Sequence, residues 1–241
     1  MRVAILGAGA GGAAAAVELG QHGISTRLWS RSEATLAPLR ARGGIAHEGV
    51  LGAGTVQPGI MTTDLAVALE GADAVLVCLP TLAHAALAEA LADLDALEER
   101  PVVLNPGHTG GALEFTTVFA RRGLAPPPVA EFSTLTYVAR MGDAAQLRIT
   151  GAAQQVWVAA LPGGEQAVET AQQLYPAARR AGDVLATGLC NVNMVLHPPG
   201  AVCAAAWVEA TAGDFTFYVD GLSDGVGRVM AALDEERIAV G

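Results

Sequence analysis

The first dozen residues constrain the fold of this chain most. Four apolar residues, Val3-Ala4-Ile5-Leu6, are long enough for a buried parallel strand, and they run directly into Gly7-Ala8-Gly9-Ala10-Gly11-Gly12. Three of these glycines have the GxGxxG spacing, and the Ala-rich stretch from Ala13 to Leu19 predicts a helix. A strand, a tight turn and a helix in this order predict an α/β fold of the Rossmann type, with a doubly wound sheet.

In such a turn each glycine has its own role. Gly7 permits the turn, Gly9 lets the backbone approach a pyrophosphate, and Gly12 lets the helix pack close to the strand. The pyrophosphate would rest on the unpaired N–H groups at the positive end of the helix. Ala10 and Gly11 therefore join the three glycines as predicted cofactor-binding residues.

Two other interpretations of this stretch compete with the nucleotide-binding one. Met1-Arg2 before an apolar, Ala-rich run could be a short signal peptide with Ala-x-Ala cleavage sites, but glycines interrupt the run and it ends at Glu18. A glycine-rich linker is the other interpretation, but linkers lack a preceding strand such as Val3–Leu6. The sequence favours nucleotide binding.

The composition excludes several classes of partner. At 241 residues the chain can form one large or two small domains, and with 52% hydrophobic and 16% charged residues much of it must be interior or interface. The net charge of −10 argues against a nucleic-acid partner, because phosphate neutralisation needs clustered Arg or Lys. No apolar run reaches the ~20 residues of a membrane helix, so we expect no membrane partner.

The lysine and cysteine content of the chain excludes some kinds of catalytic chemistry and indicates the redox compartment. All 14 basic residues are Arg, which excludes a Schiff-base lysine and any proton transfer by Lys. Cys78, Cys190 and Cys203 are odd in number and form no CxxC motif. We expect free thiols in a reducing compartment, and hence a cytoplasmic protein.

The end of the second predicted strand, Ser25–Trp29, decides which cofactor is preferred. An NAD site usually has Asp or Glu there, ~20 residues past the glycines, to accept from the ribose 2′-hydroxyl. Here the segment is Ser30-Arg31-Ser32, and a hydroxyl and a guanidinium would hold a 2′-phosphate. Arg31 could instead be an ordinary solvated residue, with Glu33 opening the next helix. Ser30 and Arg31 favour NADP, and NAD stays possible.

The rest of the first half predicts further sheet elements. Residues 43–63 predict a hairpin before a return to the sheet edge at Ile60–Thr63, and two apolar runs predict central strands that end before Pro80-Thr81 and Asn105–Gly111. A helix is predicted over 82–97. Because ligands bind at the carboxyl ends of strands in an open α/β sheet, these turns would lie on one rim with those at 7–12 and 30–32. Antiparallel strands that extend or flank the sheet are predicted at Thr134–Val138, Gln146–Ile149 and Gln155–Ala159.

The second half predicts a helical domain. Pro176–Asp183 is the most plausible boundary, which gives domains 1–180 and 181–241. A long helical stretch is predicted over 187–211, with an interruption at His197–Gly200 because Pro198 disfavours helical geometry before it. A second helix is predicted over 224–239.

Within the long stretch, Asn193 and His197 are four residues apart, which places an amide and an imidazole on one helix face. A histidine held in this way can protonate or polarise a carbonyl, although a lone His on an Ala/Val-rich helix is more often a core residue. His84 and His108 fall on the predicted rim, but no metal-ligand spacing links them to His197, so we expect no metal site.

These residues carry a resemblance that covers the whole chain. It rests on the Gly7–Gly12 fingerprint, on Asn105-Pro106-Gly107-His108-Thr109-Gly110-Gly111-Ala112-Leu113-Glu114-Phe115, on Asn191-Val192-Asn193-Met194-Val195-Leu196-His197-Pro198 and, more weakly, on Phe217–Gly221 followed by Leu233–Ala239. In these blocks the chain resembles the octopine/nopaline (opine) dehydrogenase family. The resemblance implies a Rossmann domain followed by a helical, 6-phosphogluconate-dehydrogenase-like domain.

The resemblance also implies a reaction. Family members condense an α-keto acid with the amino group of an amino acid and reduce the imine with NAD(P)H. His197 matches the catalytic acid/base, Asn193 would orient substrate, and Pro80, Thr81 and the loop that contains Asn105 and Gly107 would border the nicotinamide.

The chain departs from the family at its carboxyl end. Family members are longer there, and the acidic partner of their histidine lies in that part, so the second domain is expected to be incomplete and a homodimer to cover its apolar surface. The alternatives are a 2-keto or 3-hydroxy acid reductase of the same architecture, which commonly uses a Lys that this chain lacks, and a non-catalytic NADP-binding homologue.

Overall fold

The computed structural model describes residues 1–94, 97 and 99–240. Within these ranges, no helix combines the length and the apolar character that a membrane crossing requires. The chain divides into two compact units, Met1–Gly188 and Leu189–Gly241. The boundary expected after residue 180 falls at the end of the last strand of the first unit and stays a prediction about domains.

The first unit alternates strands with helices over most of its length. In chain order its elements are β1 (Arg2–Leu6), α1 (Ala10–Gln21), β2 (Ser25–Trp29), α2 (Glu33–Ala41), β3 (Ile45–Gly49), β4 (Gly54–Val56), β5 (Ile60–Thr62), α3 (Leu65–Leu69), β6 (Ala74–Val77), a 3₁₀ turn (Thr81–Ala83), α4 (His84–Leu94), β7 (Val102–Leu104), α5 (Gly111–Arg121), β8 (Val129–Phe132), β9 (Tyr137–Met141), a second 3₁₀ turn (Asp143–Ala145), β10 (Leu147–Ala152), β11 (Val156–Ala160), α6 (Glu165–Leu174) and β12 (Ala178–Arg180). A further helix, α7 (Val184–Leu189), follows at the end of the unit.

The main sheet has β1 near its centre. Its strand order is β12-β11-β8-β7-β6-β1-β2-β5, and β1 pairs in parallel with both β2 and β6. In this register Leu6 lies beside Trp29 on one side and Val77 on the other, so three carboxyl ends are level. The chain reverses its direction of winding between β1 and β6, which confirms the predicted doubly wound Rossmann-type sheet.

Both faces of this sheet are covered, as its continuous apolar strands require. Val3 and Ile5 belong to a buried cluster with α1, α2 and α6, whereas Ala4 and Leu6 belong to a second cluster with α3, α4 and α5. Residues that alternate along one strand therefore supply two cores, one on each face.

A second sheet, in the order β4-β3-β10-β9, covers the other side of α1. The predicted hairpin at 43–63 is confirmed as the antiparallel pair β3–β4, and β5 returns to the main sheet beside β2. The hairpin pairs onward with β10, which the sequence did not indicate. Because α1 lies between two sheets it has no solvent face along Gly12–Val17, which explains its alanines.

Several element predictions need correction. The strand expected over Thr134–Val138 begins only at Tyr137, and β8 was not predicted although it pairs with both β7 and β11. The helix expected over 82–97 begins at His84 after a 3₁₀ turn and is described to Leu94, while the predicted positions 95 and 96 lie outside the described residues.

The second unit is helical. It consists of α8 (Asn193–Cys203), α9 (Ala205–Thr211), a π-helical turn (Phe217–Gly221) and α10 (Asp224–Val240). The interruption predicted at His197–Gly200 is wrong, because α8 continues through Pro198 and Pro199. Each proline removes one backbone hydrogen-bond donor from the helix. The helix is nevertheless closely packed at Gly200, since a Cβ there would lie 2.9 Å from side-chain atoms of Leu222, Met230 and Phe217. Close packing of this kind holds the segment helical despite its prolines.

The turn between β1 and α1 has no room for side chains at two of its glycines. Gly7 has φ of 123°, in the range that favours glycine, and a Cβ there would lie 2.3 Å from the carbonyl oxygen of Cys78. A Cβ on Gly12 would lie 1.8 Å from the carbonyl oxygen of Gly7. At Gly9 and Gly11, by contrast, a Cβ would meet nothing within 4 Å among the described atoms.

We expect Gly12→Ala to lower the free energy of unfolding by about 1–3 kcal/mol, because the backbone must move to admit the methyl group. Gly11→Ala is the matched control in the same helix, where the methyl group is free and should raise stability by up to ~1 kcal/mol. Urea denaturation of the two variants and the parent chain measures both effects. Equal stabilities of the two variants would contradict the close approach of helix and strand.

Candidate functional site

A cleft of about 620 Å³ opens at the carboxyl ends of β1, β2 and β6, where the strand order reverses. This is the place at which open α/β sheets bind their ligands. Gly7 and Gly9 form its floor beside the first turn of α1, and Ala10, Gly11 and Gly12 belong to that turn. The first N–H groups of a helix lack partners within it, so they offer donors to an anion.

One wall of the cleft carries hydroxyls and one cation. Ser30, Arg31, Ser32 and Thr35 line it at the start of α2. The Ser30 hydroxyl accepts a hydrogen bond from the Ser32 N–H at 3.2 Å, which shapes the turn that presents Arg31. Arg31 is exposed, and no hydrogen bond or ion pair engages its guanidinium within the described ranges.

No carboxylate lines this cleft in the part of the chain that the structure describes. Glu33 is the nearest acidic residue in sequence, and it forms an ion pair with Arg40 seven residues further along. The guanidinium of Arg31 is therefore the only charge among the lining residues described, and it favours an anion.

The opposite wall is apolar. Leu79, Pro80, Leu82 and Ala83 line it along the segment between β6 and α4, and Leu82 is fully exposed. Thr81 lies between two of these lining residues and is itself half-buried. An apolar wall opposite a polar one suits a ligand with a flat ring and an anionic group.

The other predicted loop, after β7, does not line this cleft. Asn105 is buried, and its Nδ2 donates to the Thr136 hydroxyl at 2.8 Å and to Tyr175 Oη at 3.4 Å. A Cβ on Gly107 would lie 2.3 Å from Cβ of Glu131, so this glycine permits close packing. Cofactor binding by Asn105 and Gly107 stays a prediction.

Glu131 was missed by the sequence analysis because β8 was not predicted. Its carboxylate is fully buried and accepts from the Ala112 N–H and from the Thr187 hydroxyl, both at 2.7 Å. It thus ties β8 to the start of α5 and to α7. Burial raises the pKa of the Glu131 carboxyl, and the two hydrogen bonds oppose this rise.

His84 is also a structural residue. It is fully buried, its Nε2 donates to the carbonyl of Leu79 at 3.1 Å, and burial lowers its pKa, which favours the neutral ring. Among the described residues, no three side chains of His, Cys, Asp or Glu come together in a group that could hold a metal ion.

In the second unit, Asn193 and His197 lie on α8, one turn apart. Asn193 is exposed at the first position of the helix and His197 is half-buried. The imidazole Nε2 is 2.8 Å from Tyr218 Oη, and the Phe217 ring lies beside it with ring centroids 6.4 Å apart. This unit therefore presents an imidazole near solvent beside a hydroxyl, which suits proton transfer.

Comparison with known proteins shows the family to which this chain belongs. Residues 2–128 match the family model described as NAD-dependent glycerol-3-phosphate dehydrogenase N-terminus, and residues 180–241 match that of the NAD/NADP octopine/nopaline dehydrogenase, alpha-helical domain. An opine dehydrogenase of Arthrobacter sp. (strain 1C) is 33% identical over 239 residues, which is 98% of this chain and 66% of that protein. The chain belongs to the octopine/nopaline dehydrogenase family. The resemblance inferred from the sequence blocks is thereby confirmed.

Two solved dehydrogenase structures share the fold of this chain. An octopine dehydrogenase solved with NADH and L-arginine has a TM-score of 0.70 at 19% identity, covering 86% of this chain and 54% of that one. A yersinopine dehydrogenase with NADP⁺ bound has a TM-score of 0.71 at 14% identity, covering 89% and 55%. The chain thus spans about half the length of these structures and about two thirds of the Arthrobacter protein.

The buried carboxyl of Glu131 predicts a specific pH dependence of stability. Its pKa in the folded chain lies above the ordinary value of 4.5, so the folded state binds the proton more tightly than the unfolded state. The stabilisation from this proton is complete below the ordinary value and is lost as the pH rises through the raised one. Glu131→Gln removes the titration, so the free energy of unfolding of the parent chain minus that of the variant should increase as the pH falls across this interval.

Denaturant titrations of both proteins at several pH values measure this difference. Glu169→Gln, at an exposed position of α6, is the matched control. A parent-minus-variant difference for Glu131 that stays flat, or that decreases toward acid, would contradict the assignment of a raised pKa to this carboxyl.

Proposed function

We propose that this chain functions as an opine-type dehydrogenase, which condenses an α-keto acid with the amino group of an amino acid and reduces the resulting imine with NADPH. The observation that carries the proposal is the 33% identity to an opine dehydrogenase, which extends over both units of the chain. If the chain shared only a nucleotide-binding domain with this relative, the similarity would end with the first unit.

The cofactor assignment rests on the chemistry of the cleft. The glycine floor is open at Gly9, where a side chain would meet nothing within 4 Å of the described atoms, so a pyrophosphate fits against the backbone there. Arg31, Ser30 and Ser32 are suited to hold a ribose 2′-phosphate, and no carboxylate of the described lining opposes it. Pro80, Thr81, Asn105 and Gly107 are proposed to border the nicotinamide, which supplies hydride when bound.

The proton chemistry is assigned to His197. Condensation of a keto acid with an amine needs a group that gives a proton to the departing oxygen and recovers one afterwards, and imidazole does both near neutral pH. Asn193, one turn earlier on α8, is proposed to orient the substrate through its amide. None of the 241 residues is Lys, so no lysine ammonium of this chain can take the place of the imidazole.

A reductase that acts on a keto acid without an amine is the second candidate from the sequence. The first test is therefore oxidation of NADPH by the chain with a keto acid alone and with keto acid and amino acid together. Pyruvate and L-arginine are a suitable first pair, since octopine dehydrogenase has been solved with each. The proposal requires turnover only when both are present, and turnover with pyruvate alone would favour the reductase.

Arg31→Ala should weaken NADPH binding about tenfold and leave NADH binding unchanged, because an exposed guanidinium loses one charge-assisted contact to phosphate. Direct titration of both nucleotides measures this difference. Arg148→Ala, an exposed arginine of β10, is the matched control and should bind both nucleotides like the parent. Tighter binding of NADH than of NADPH by the parent chain would overturn the preference for NADP.

His197→Ala should lower kcat/KM by about 10²- to 10⁴-fold, the range typical of a lost general acid or base. The affinity for NADPH should stay unchanged, since His197 is assigned to the substrate. His22→Ala, at the exposed end of α1, is the control with full activity expected. Turnover of the pair by His197→Ala at the parental rate would rule out the assignment.

A further inference from the structure

An ion pair on α2 lies next to the turn that carries Arg31. Glu33 is the first residue of this helix, directly after Ser32, and its carboxylate pairs with the guanidinium of Arg40 in the last turn. We propose that Arg40 is a positioning residue that sets the nucleotide preference. By holding the Glu33 carboxylate along the helix, it leaves Arg31 available to the 2′-phosphate. This inference rests on the preference for NADP proposed above.

The pair runs against the direction in which the Glu33 side chain would otherwise point. Helical side chains lean toward the amino-terminal end of their helix, so the Glu33 carboxylate would lean toward Ser32 and Arg31. The helix dipole favours the same place, because a negative group is stabilised beside the unpaired N–H groups of the first turn. Arg40 instead binds this carboxylate from a position about 10 Å further along the helix axis.

Arg40 is held at a second point. Its Nη2 donates to the carbonyl of Met61 on β5 at 2.7 Å, while its Nη1 contacts the Glu33 carboxylate. The guanidinium is therefore anchored to the edge strand of the main sheet, and the Arg40 side chain is 37% exposed. An arginine anchored in this way has less conformational entropy to lose when it forms an ion pair, which favours a persistent contact with Glu33.

A carboxylate released from Arg40 would change the nucleotide preference in two ways. It would pair with Arg31 and compete with the 2′-phosphate for the guanidinium. It would also repel that phosphate, which carries a charge of about −2 near neutral pH, whereas a 2′-hydroxyl would gain an acceptor of the kind that NAD sites provide. Both changes favour NADH over NADPH. The ratio of the two affinities therefore reports where the Glu33 carboxylate lies.

The test is direct titration of NADPH and NADH into the parent chain, Arg40→Gln, Glu33→Gln and the double variant. In Arg40→Gln we expect the ratio of NADPH affinity to NADH affinity to fall about two- to fivefold, the size of an exposed ion pair. In the Glu33→Gln background the same arginine substitution should leave the ratio unchanged, since no carboxylate remains to be released. Any loss of folded protein cancels in this ratio, because both nucleotides bind the same folded state.

Arg122→Gln is the matched control. Arg122 forms ion pairs with Glu89 and Asp93 at the surface and is not among the described residues that line the cleft, so this variant should keep the parental ratio. A parental ratio in Arg40→Gln, or a fall that persists in the Glu33→Gln background, would overturn the role of Arg40 alone. Tighter binding of NADH than of NADPH by the parent chain would overturn the proposed cofactor preference, and the role of Arg40 with it.

Discussion

The close contact between the Gly7 carbonyl and the backbone of Gly12 fixes the geometry on which the cleft depends. A single Cβ at Gly12 would lie 1.8 Å from that oxygen, so the first turn of α1 can sit at the end of β1 only while this position has no side chain. The contact aims the unpaired N–H groups of the helix at the space above the sheet. The level carboxyl ends of β2 and β6 then bring the Ser30–Ser32 turn and the Leu79–Ala83 segment to the same space.

The electrostatics of the cleft are set locally, against the charge of the chain. A net charge of −10 repels a nucleotide at long range, so attraction must come from groups within about a Debye length of the phosphates. The helix dipole of α1 and the guanidinium of Arg31 are the groups proposed to supply it. The acidic Glu33 is held by Arg40, which keeps its carboxylate engaged away from the described lining. The nucleotide preference proposed for this cleft therefore depends on the few charged groups at its edge.

The sequence predicts the features that depend on local chemistry. The glycine spacing of the first turn and the apolar runs of the central strands are both of this kind. Prediction from the sequence fails where contacts between distant segments determine the structure. Strand β8 is short and is stabilised by pairing with β7 and β11. The structural role of Glu131 depends on the hydrogen bonds that its carboxylate accepts from Ala112 and Thr187, which are distant in sequence. Helix α8 passes two prolines because of packing at Gly200, which no local propensity reveals.

Few basic side chains of this chain can exchange a proton near neutral pH. Arginine stays protonated in proteins, and the chain contains no lysine, so its 14 basic residues cannot exchange a proton with a substrate. Two histidines are buried: His84 is tied to the Leu79 carbonyl, and His47 lies against the amide of Gln21. His197 differs from both, since it is half-buried on a helix and its described polar partner is a hydroxyl that can reverse its role. An imidazole near solvent can act as a general acid and base, which is the role proposed for His197.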